Sequence, residues 1–182
     1  IRFGFQATGD HLADIAATAP RAEAAGFDTL CVADHVPSGL SPMLALATAA
    51  AATERVRLGT MVLNNDMRNP VQLAWEAATL DRLSGGRFEL GLGAGHTPAE
   101  YAATGIGLGS AAVRKRRLME SVEVLKALLA GETVTHSGEF LTLDGATAEV
   151  DVAGRVPILV GGNGARLLEH AGRFADIVGL QG

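Results

Sequence analysis

The sequence predicts an α/β chain of the (β/α)8 TIM-barrel type, cut off after its sixth strand. Three observations carry this reading. Short apolar runs rich in β-branched or aromatic residues recur at 3–7, 29–33, 56–63, 87–93, 157–160 and 176–180, mostly continuous rather than alternating, as buried parallel strands are. The first three strand-to-strand spacings, about 26 to 31 residues, leave room for one crossover helix each. Nearly every strand ends in polar or glycine chemistry: Gln6, then Asp34 and His35, then Asn64, Asn65 and Asp66, then Gly95 and His96, then Gly161 to Gly164, then Gln181. An open doubly wound sheet concentrates ligand chemistry at one switch point, whereas a barrel delivers every strand end to one ring. A barrel needs eight strands, so two further βα units are expected beyond Gly182.

The helices between these strands have marked ends. The first, at 10–25, stops at Gly26 and contains Pro20, which should kink or divide it. Ser41-Pro42 opens the second and Asn69-Pro70 the third, which closes at Gly85. In the fourth, closed by Gly131, Leu118, Val122, Leu125 and Leu129 form one apolar stripe, and Glu120, Glu123 and the 114–117 basic cluster read as a solvated face. The fifth carries Leu167, Leu168 and Ala171. Residues 132–156, punctuated by Gly138, Gly145 and Gly154, break the βα rhythm and are expected to leave the main sheet as a hairpin. With 182 residues, 48% of them apolar, the chain is expected to form one partial barrel domain over 1–182.

Composition narrows the partners. A net charge of -5 with only two lysines, Lys115 and Lys126, offers no electrostatic footprint for nucleic acid or an anionic membrane. No apolar stretch approaches the roughly 20 residues of a membrane span, and no signal peptide is visible. The single cysteine, Cys31, sits in an apolar run and reads as a buried small hydrophobe. The expected compartment is the cytoplasm, and the expected partner is a small molecule.

Asp34-His35 follows a buried strand and precedes Val36-Pro37, placing an imidazole and a carboxylate where catalytic groups of a barrel lie. Gly59 fits a bulge or a close backbone approach, and Asn64 and Asn65 offer amides or turn chemistry at the end of that strand. The run Gly91-Leu92-Gly93-Ala94-Gly95-His96 fails the dinucleotide fingerprint, because His96 or Pro98 stands where a glycine is required. Its glycines are expected to let a flat ligand lie against backbone. His96 reads either as a second acid or base or as a rim histidine. Gly161-Gly162-Asn163-Gly164 precedes a helix whose first N–H groups suit an anion. The five histidines are scattered without metal-ligand spacing, and no metal is expected.

Several runs together resemble the bacterial luciferase-like monooxygenase superfamily. They are 21–28 (RAEAAGFD), Ala33-Asp34-His35, Leu58-Gly59-Thr60 with Val62, Asn69-Pro70, 78–87 (ATLDRLSGGR) and 90–95 (LGLGAG), continued by Val160-Gly161-Gly162 and Phe174-Ala175-Asp176. The likeness covers essentially the whole chain, is most specific over 79–95, and leans toward the deazaflavin-dependent oxidoreductases of actinobacteria. It implies a barrel whose mouth holds a flavin or the 8-hydroxy-5-deazaflavin of coenzyme F420. By the same likeness His35 handles a proton or stabilises charge during hydride transfer, and Asp34 contacts the cofactor. A non-prolyl cis peptide at Met61-Val62 would back the ring, Asn64, Ala94 and Gly95 would line its pocket, and Gly162, Asn163 and Gly164 would meet its tail. One departure is His96, where the sugar-phosphate dehydrogenases of the group carry a glutamate, so their substrate does not transfer.

The function expected from the sequence is hydride transfer between F420 and an organic substrate, with His35 and His96 as the catalytic candidates. An FMN-dependent monooxygenase is the alternative, and a non-catalytic binding fragment a second one. A homodimer is compatible with the resemblance. With the first and sixth strands left as unpaired edges, residues 1–182 alone are expected to self-associate and to lack activity.

Overall fold

The continuous apolar runs become parallel strands in the computed structural model, which describes residues 1–149 and 155–180. In chain order the elements are β1 (Gly4–Ala7), α1 (Gly9–Ala13), α2 (Ile15–Ala24), β2 (Thr29–Val32), α3 (Pro42–Ala52), β3 (Arg57–Thr60), β4 (Leu63–Asn64), a 3-10 turn (Asn65–Met67) and α4 (Pro70–Ser84). They continue with β5 (Phe88–Gly93), α5 (Pro98–Thr104), α6 (Ala111–Leu129), β6 (Val134–Ser137), β7 (Thr142–Ala146), β8 (Ile158–Gly161), α7 (Ala165–Phe174) and β9 (Ile177–Gly179). Gln181, expected at a strand end, and Gly154, within the expected excursion, lie outside the described residues.

The main sheet runs β1-β2-β3-β5-β8-β9, all parallel, with β4 also paired to β5. Each strand is added in chain order without reversal, so there is no topological switch point, and the winding is that of a barrel. The helices form one layer on one face, α2 against α3, α3 against α4, α4 against α6 and α6 against α7. The result is a half-barrel.

Strand alternation sorts the core. In β5, Phe88, Leu90 and Leu92 are fully buried with Leu30, Val32, Leu58 and Val160, and meet the α6 stripe of Leu118, Val122 and Leu125. The residues between them, Glu89, Gly91 and Gly93, turn to the other face. There Glu89 is held by Arg2 at 2.8 Å and Arg57 at 2.5 Å. Desolvation in this wall pushes the Cys31 thiol up to about 11, in keeping with a buried, unreactive side chain.

Helix ends follow the sequence signals closely. Asn69 Oδ1 accepts the N–H groups of Val71 (2.9 Å) and Gln72 (3.2 Å), and Gly85 closes α4 in the left-handed conformation at φ 69°. Ser41 makes no such side-chain bond, leaving Pro42 to start α3 by its fixed φ. Within the excursion, β6 and β7 form a separate antiparallel pair.

Three expectations are corrected and one element is added. The first helix divides at Asp14, six residues before Pro20, which sits inside α2. Gly59 carries no bulge: it pairs in register with Cys31 and Glu89, and a Cβ there would lie 3.4 Å from Cys31 Sγ. The irregularity comes just after, where the third strand breaks into β3 and β4. The charged side of α6 is also no solvated face. Arg117 pairs with the buried Asp66 at 2.9 Å, and Glu120 accepts the N–H groups of Phe140 and Leu141 and pairs with His136, so it anchors the hairpin. Finally, α5 was not foreseen, although Thr97-Pro98 and Gly105 bracket it as helix signals do.

A carboxylate on α2 ties the layer together. Glu23 Oε2 accepts N–H groups of Glu54 (3.1 Å), Arg55 (2.6 Å) and Val56 (2.8 Å) where the chain enters β3. These bonds, that of Val56 foremost, hold its carboxyl below the ordinary 4.5. A depressed folded value contributes stability that is present above the unfolded value and lost as pH falls through the folded one. Glu23→Gln is expected to lower stability by about 1–2 kcal/mol at pH 7. In urea unfolding, the gap from wild type should close as the pH falls below 4.5; a gap independent of pH contradicts this.

Candidate functional site

The divergence between β3 and β4 builds the floor of the site. Backbone pairing of β3 with β5 ends at Gly59 and Glu89 and resumes between β4 and β5 at Leu63 and Leu92. Thr60 spans the gap with its side chain: Oγ1 donates to Gly91 O at 2.9 Å and accepts from Gly91 N at 2.7 Å. The segment so released carries the cis Met61–Val62 peptide that the family resemblance implied; Val36–Pro37 is also cis.

Val62 explains two glycines. A Cβ on Gly93 would lie 2.6 Å from Val62 Cγ2, and one on Gly161 would lie 2.8 Å from Val62 Cγ1. Both glycines therefore make room for the chain's own valine, which at Gly93 corrects the expectation that the glycines of the 91–95 run leave backbone bare for a ligand. At Gly95 the space is taken by the Tyr101 hydroxyl and the Asn64 amide.

A cavity of about 580 Å³ opens over this floor at the carboxyl ends of the strands. The structure brings to it Asp34, His35, Met61, Val62, Asn64, Ala94, Gly95, His96, Gly162 and Asn163, together with Gln6. Gly164 stands beside it as the residue preceding α7. A larger hollow of about 710 Å³, walled by Lys126, Phe174 and Ile158, contains none of these residues. It lies at the opposite ends of the strands, since Ile158 begins β8.

The groups differ in how they are held. Asp34 is buried, and its Oδ2 accepts Asn64 N at 3.1 Å and Arg68 Nη2 at 2.7 Å, so it pins the end of β2 to β4. Asn64 is 5% exposed; its Oδ1 accepts Asp66 N (3.1 Å) and the Tyr101 hydroxyl (3.3 Å). Its Nδ2 has no partner among the described residues. Buried polar groups are nearly always hydrogen-bonded, so this amide beside the cavity is an exception. Burial pushes the Tyr101 hydroxyl above its ordinary value, which keeps it a proton donor toward Asn64 and Asp66. His35 is half-exposed, and its Nδ1 meets Glu100 Oε1 at 2.9 Å. His96 is exposed at the rim.

Sequence reasoning missed four residues here. Glu100 and Tyr101 arrive on α5. Arg114 and Lys115 arrive on α6 and line the cavity, Arg114 donating to Gly95 O and Gly109 O and Lys115 to Asn163 O at 2.8 Å. Lys115 thus places a cation beside the start of α7. The Thr97-Pro98 start could have found α5; a lysine reaching a loop 48 positions away leaves no local signal. Among the described residues no three His, Cys, Asp or Glu side chains gather as a metal site, and no helix is long and apolar enough to cross a membrane.

The arrangement therefore offers a walled hollow with a non-polar floor, one uncommitted amide donor, an imidazole paired to a carboxylate, and a helix start with a lysine. These fit a planar polar-edged ring with an anionic tail. The F420-dependent glucose-6-phosphate dehydrogenase of Nakamurella multipartita is 36% identical over 186 residues, covering 97% of this chain and 55% of that protein. The 5,10-methylenetetrahydromethanopterin reductase of Methanolobus tindarius is 35% identical over 92% of this chain and 49% of its own length. Among solved structures, an F420-dependent secondary alcohol dehydrogenase in complex with an F420-acetone adduct matches with a TM-score of 0.88 at 29% identity, over 98% of this chain and 57% of that one. The chain spans about half the length of the curated relatives it matches. The sequence model of the luciferase-like monooxygenases matches residues 2–182, and it is to this family that the chain belongs.

Proposed function

We propose that the chain supplies one part of an F420-dependent oxidoreductase that moves a hydride between the deazaflavin and a small organic substrate. Residues 1–182 are read as one partial barrel domain. The observation that carries the proposal is the unpartnered Nδ2 of Asn64, buried on the wall of the cavity that also gathers His35, Ala94 and Gly95. Met61 and Val62 would back the ring, Asn64 Nδ2 would donate to its polar edge, and Asp34 would hold that wall in place. Gly162, Asn163 and Gly164 would meet the tail where the first N–H groups of α7 and the Lys115 ammonium favour negative charge.

The deazaflavin contributes a carbon that accepts or releases hydride, and protein groups bind, orient and manage the accompanying proton. His35 is the group for that proton: it lines the cavity, and an imidazole has one ring nitrogen that donates and one that accepts. His96, on the rim, is the second candidate acid or base.

Titration of the complete protein that carries this chain with F420 and with FMN, each followed by the ligand's fluorescence, tests the proposal. The expected result is saturable F420 binding at least about tenfold tighter than FMN, a difference of about 1.4 kcal/mol, with turnover that needs no oxygen. Tighter FMN binding with oxygen-dependent turnover overturns it.

A further inference from the structure

We infer that Glu100 is a positioning residue that fixes His35 in its Nδ1–H tautomer and so leaves Nε2 as the atom that gives or takes the proton at the cavity; the inference rests on the hydride-transfer reading above.

The geometry begins with Tyr101. It is 1% exposed, and its hydroxyl lies within hydrogen-bond distance of Asn64, Asp66 and Ala94 O, which seats α5 against the 3-10 turn. The residue beside it, Glu100, is thereby carried to the cavity with its side chain only 12% exposed, and Oε1 lies 2.9 Å from His35 Nδ1. An ionised carboxylate has only acceptor capacity, so the ring nitrogen facing it must carry the proton. Which nitrogen of a histidine is protonated is set by the bond the other one makes, and here that bond is made at Nδ1. Nε2 is then the only ring nitrogen that changes protonation state.

The remaining charged groups around the pair are engaged elsewhere. Asp34 is held by Arg68, Arg114 by the carbonyls of Gly95 and Gly109, and Lys115 by the carbonyl of Asn163. His96 is the other ionisable group on the wall. Glu100 is thus the carboxylate in contact with the His35 ring. A purely structural Glu100, holding α5 to the loop after β2, would also accept from Nδ1–H, so the role is separated from mere structure by kcat: a structural contact would leave it unchanged in a folded Glu100→Gln, and the positioning role would not.

The tautomer itself is read in a measurement that needs no cofactor. Protein labelled with ¹⁵N-histidine is observed by multiple-bond ¹H–¹⁵N correlation at a pH where the ring is neutral, and the His35 signals are assigned by their loss in His35→Ala. Wild type is expected to show His35 with the proton on Nδ1. Glu100→Gln, whose amide can both donate and accept, is expected to lose that restriction. With F420 loaded, Glu100→Gln should reduce kcat by about 10- to 100-fold while F420 affinity stays within about twofold. Combining it with His35→Ala should add little to the loss from His35→Ala alone. A wild-type His35 protonated on Nε2, or a tautomer unchanged in Glu100→Gln, overturns the inference whatever the cofactor proves to be. Failure to bind F420 alongside an Nδ1–H His35 would instead refute the hydride-transfer reading while leaving the pair intact.

Discussion

His35→Ala is expected to lower kcat by about 10²- to 10⁴-fold, the range for loss of a positioned general acid or base, while F420 affinity changes by less than about threefold. The split follows from where His35 stands. Its side chain is 58% exposed and belongs to no buried cluster, so its removal leaves no cavity in the core. The groups expected to hold the ring, Met61, Val62, Asn64 and Gly95, belong to the wall made by Thr60, Asp34 and Tyr101, none of which depends on the imidazole. Steady-state kinetics with parallel F420 titrations decide the matter. A kcat within a few-fold of wild type removes His35 from proton handling, and a large loss of affinity reassigns it to binding.

Gly91→Ala is expected to destabilise the protein by about 3 kcal/mol or more, the scale of overpacking that backbone cannot relieve. A Cβ at this position would overlap the Thr60 carbonyl oxygen and touch its carbonyl carbon at 3.0 Å. Neither neighbour is the far end of a flexible side chain, and Thr60 is fixed by two hydrogen bonds to the same glycine. For a chain of this length, the loss corresponds to a fall in Tm of about 10 °C. Because Thr60 also releases the Met61–Val62 segment from the sheet, any folded Gly91→Ala should bind F420 more weakly than wild type. Thermal unfolding followed by circular dichroism checks the first expectation; a Tm within about 2 °C of wild type contradicts it.

Much of the fold is legible because it depends on local, repeated signals. The strands are short apolar runs, and Asn69, Pro70 and Gly85 bracket α4 as capping chemistry requires. The run over which the family likeness is most specific, 79–95, also has a local physical role. Arg87 donates to Ala50 O, Thr53 O, Val56 O and Ser84 O, stapling the ends of α3 and α4 at the entry to β5. The site was legible as a set of strand ends, since a barrel gathers them by topology. What was not legible depends on long-range pairing. The 114–117 cluster has the charge pattern of a solvated helix face, and only the fold reveals that Arg117 meets a buried Asp66 and Lys115 meets Asn163. The glycines of β5 have the pattern of a bare ligand platform, yet Val62 fills the space at Gly93. Pattern alone cannot distinguish room left for a ligand from room left for a side chain.

A crystal structure of the protein grown with F420 tests the central claim most directly. The expected structure has the deazaflavin ring against Met61 and Val62, with a polar atom of its edge accepting from Asn64 Nδ2 and its tail running toward Asn163 and Gly164. A ring seated at the opposite ends of the strands, beside Lys126 and Phe174, or one that leaves Asn64 untouched, would contradict it.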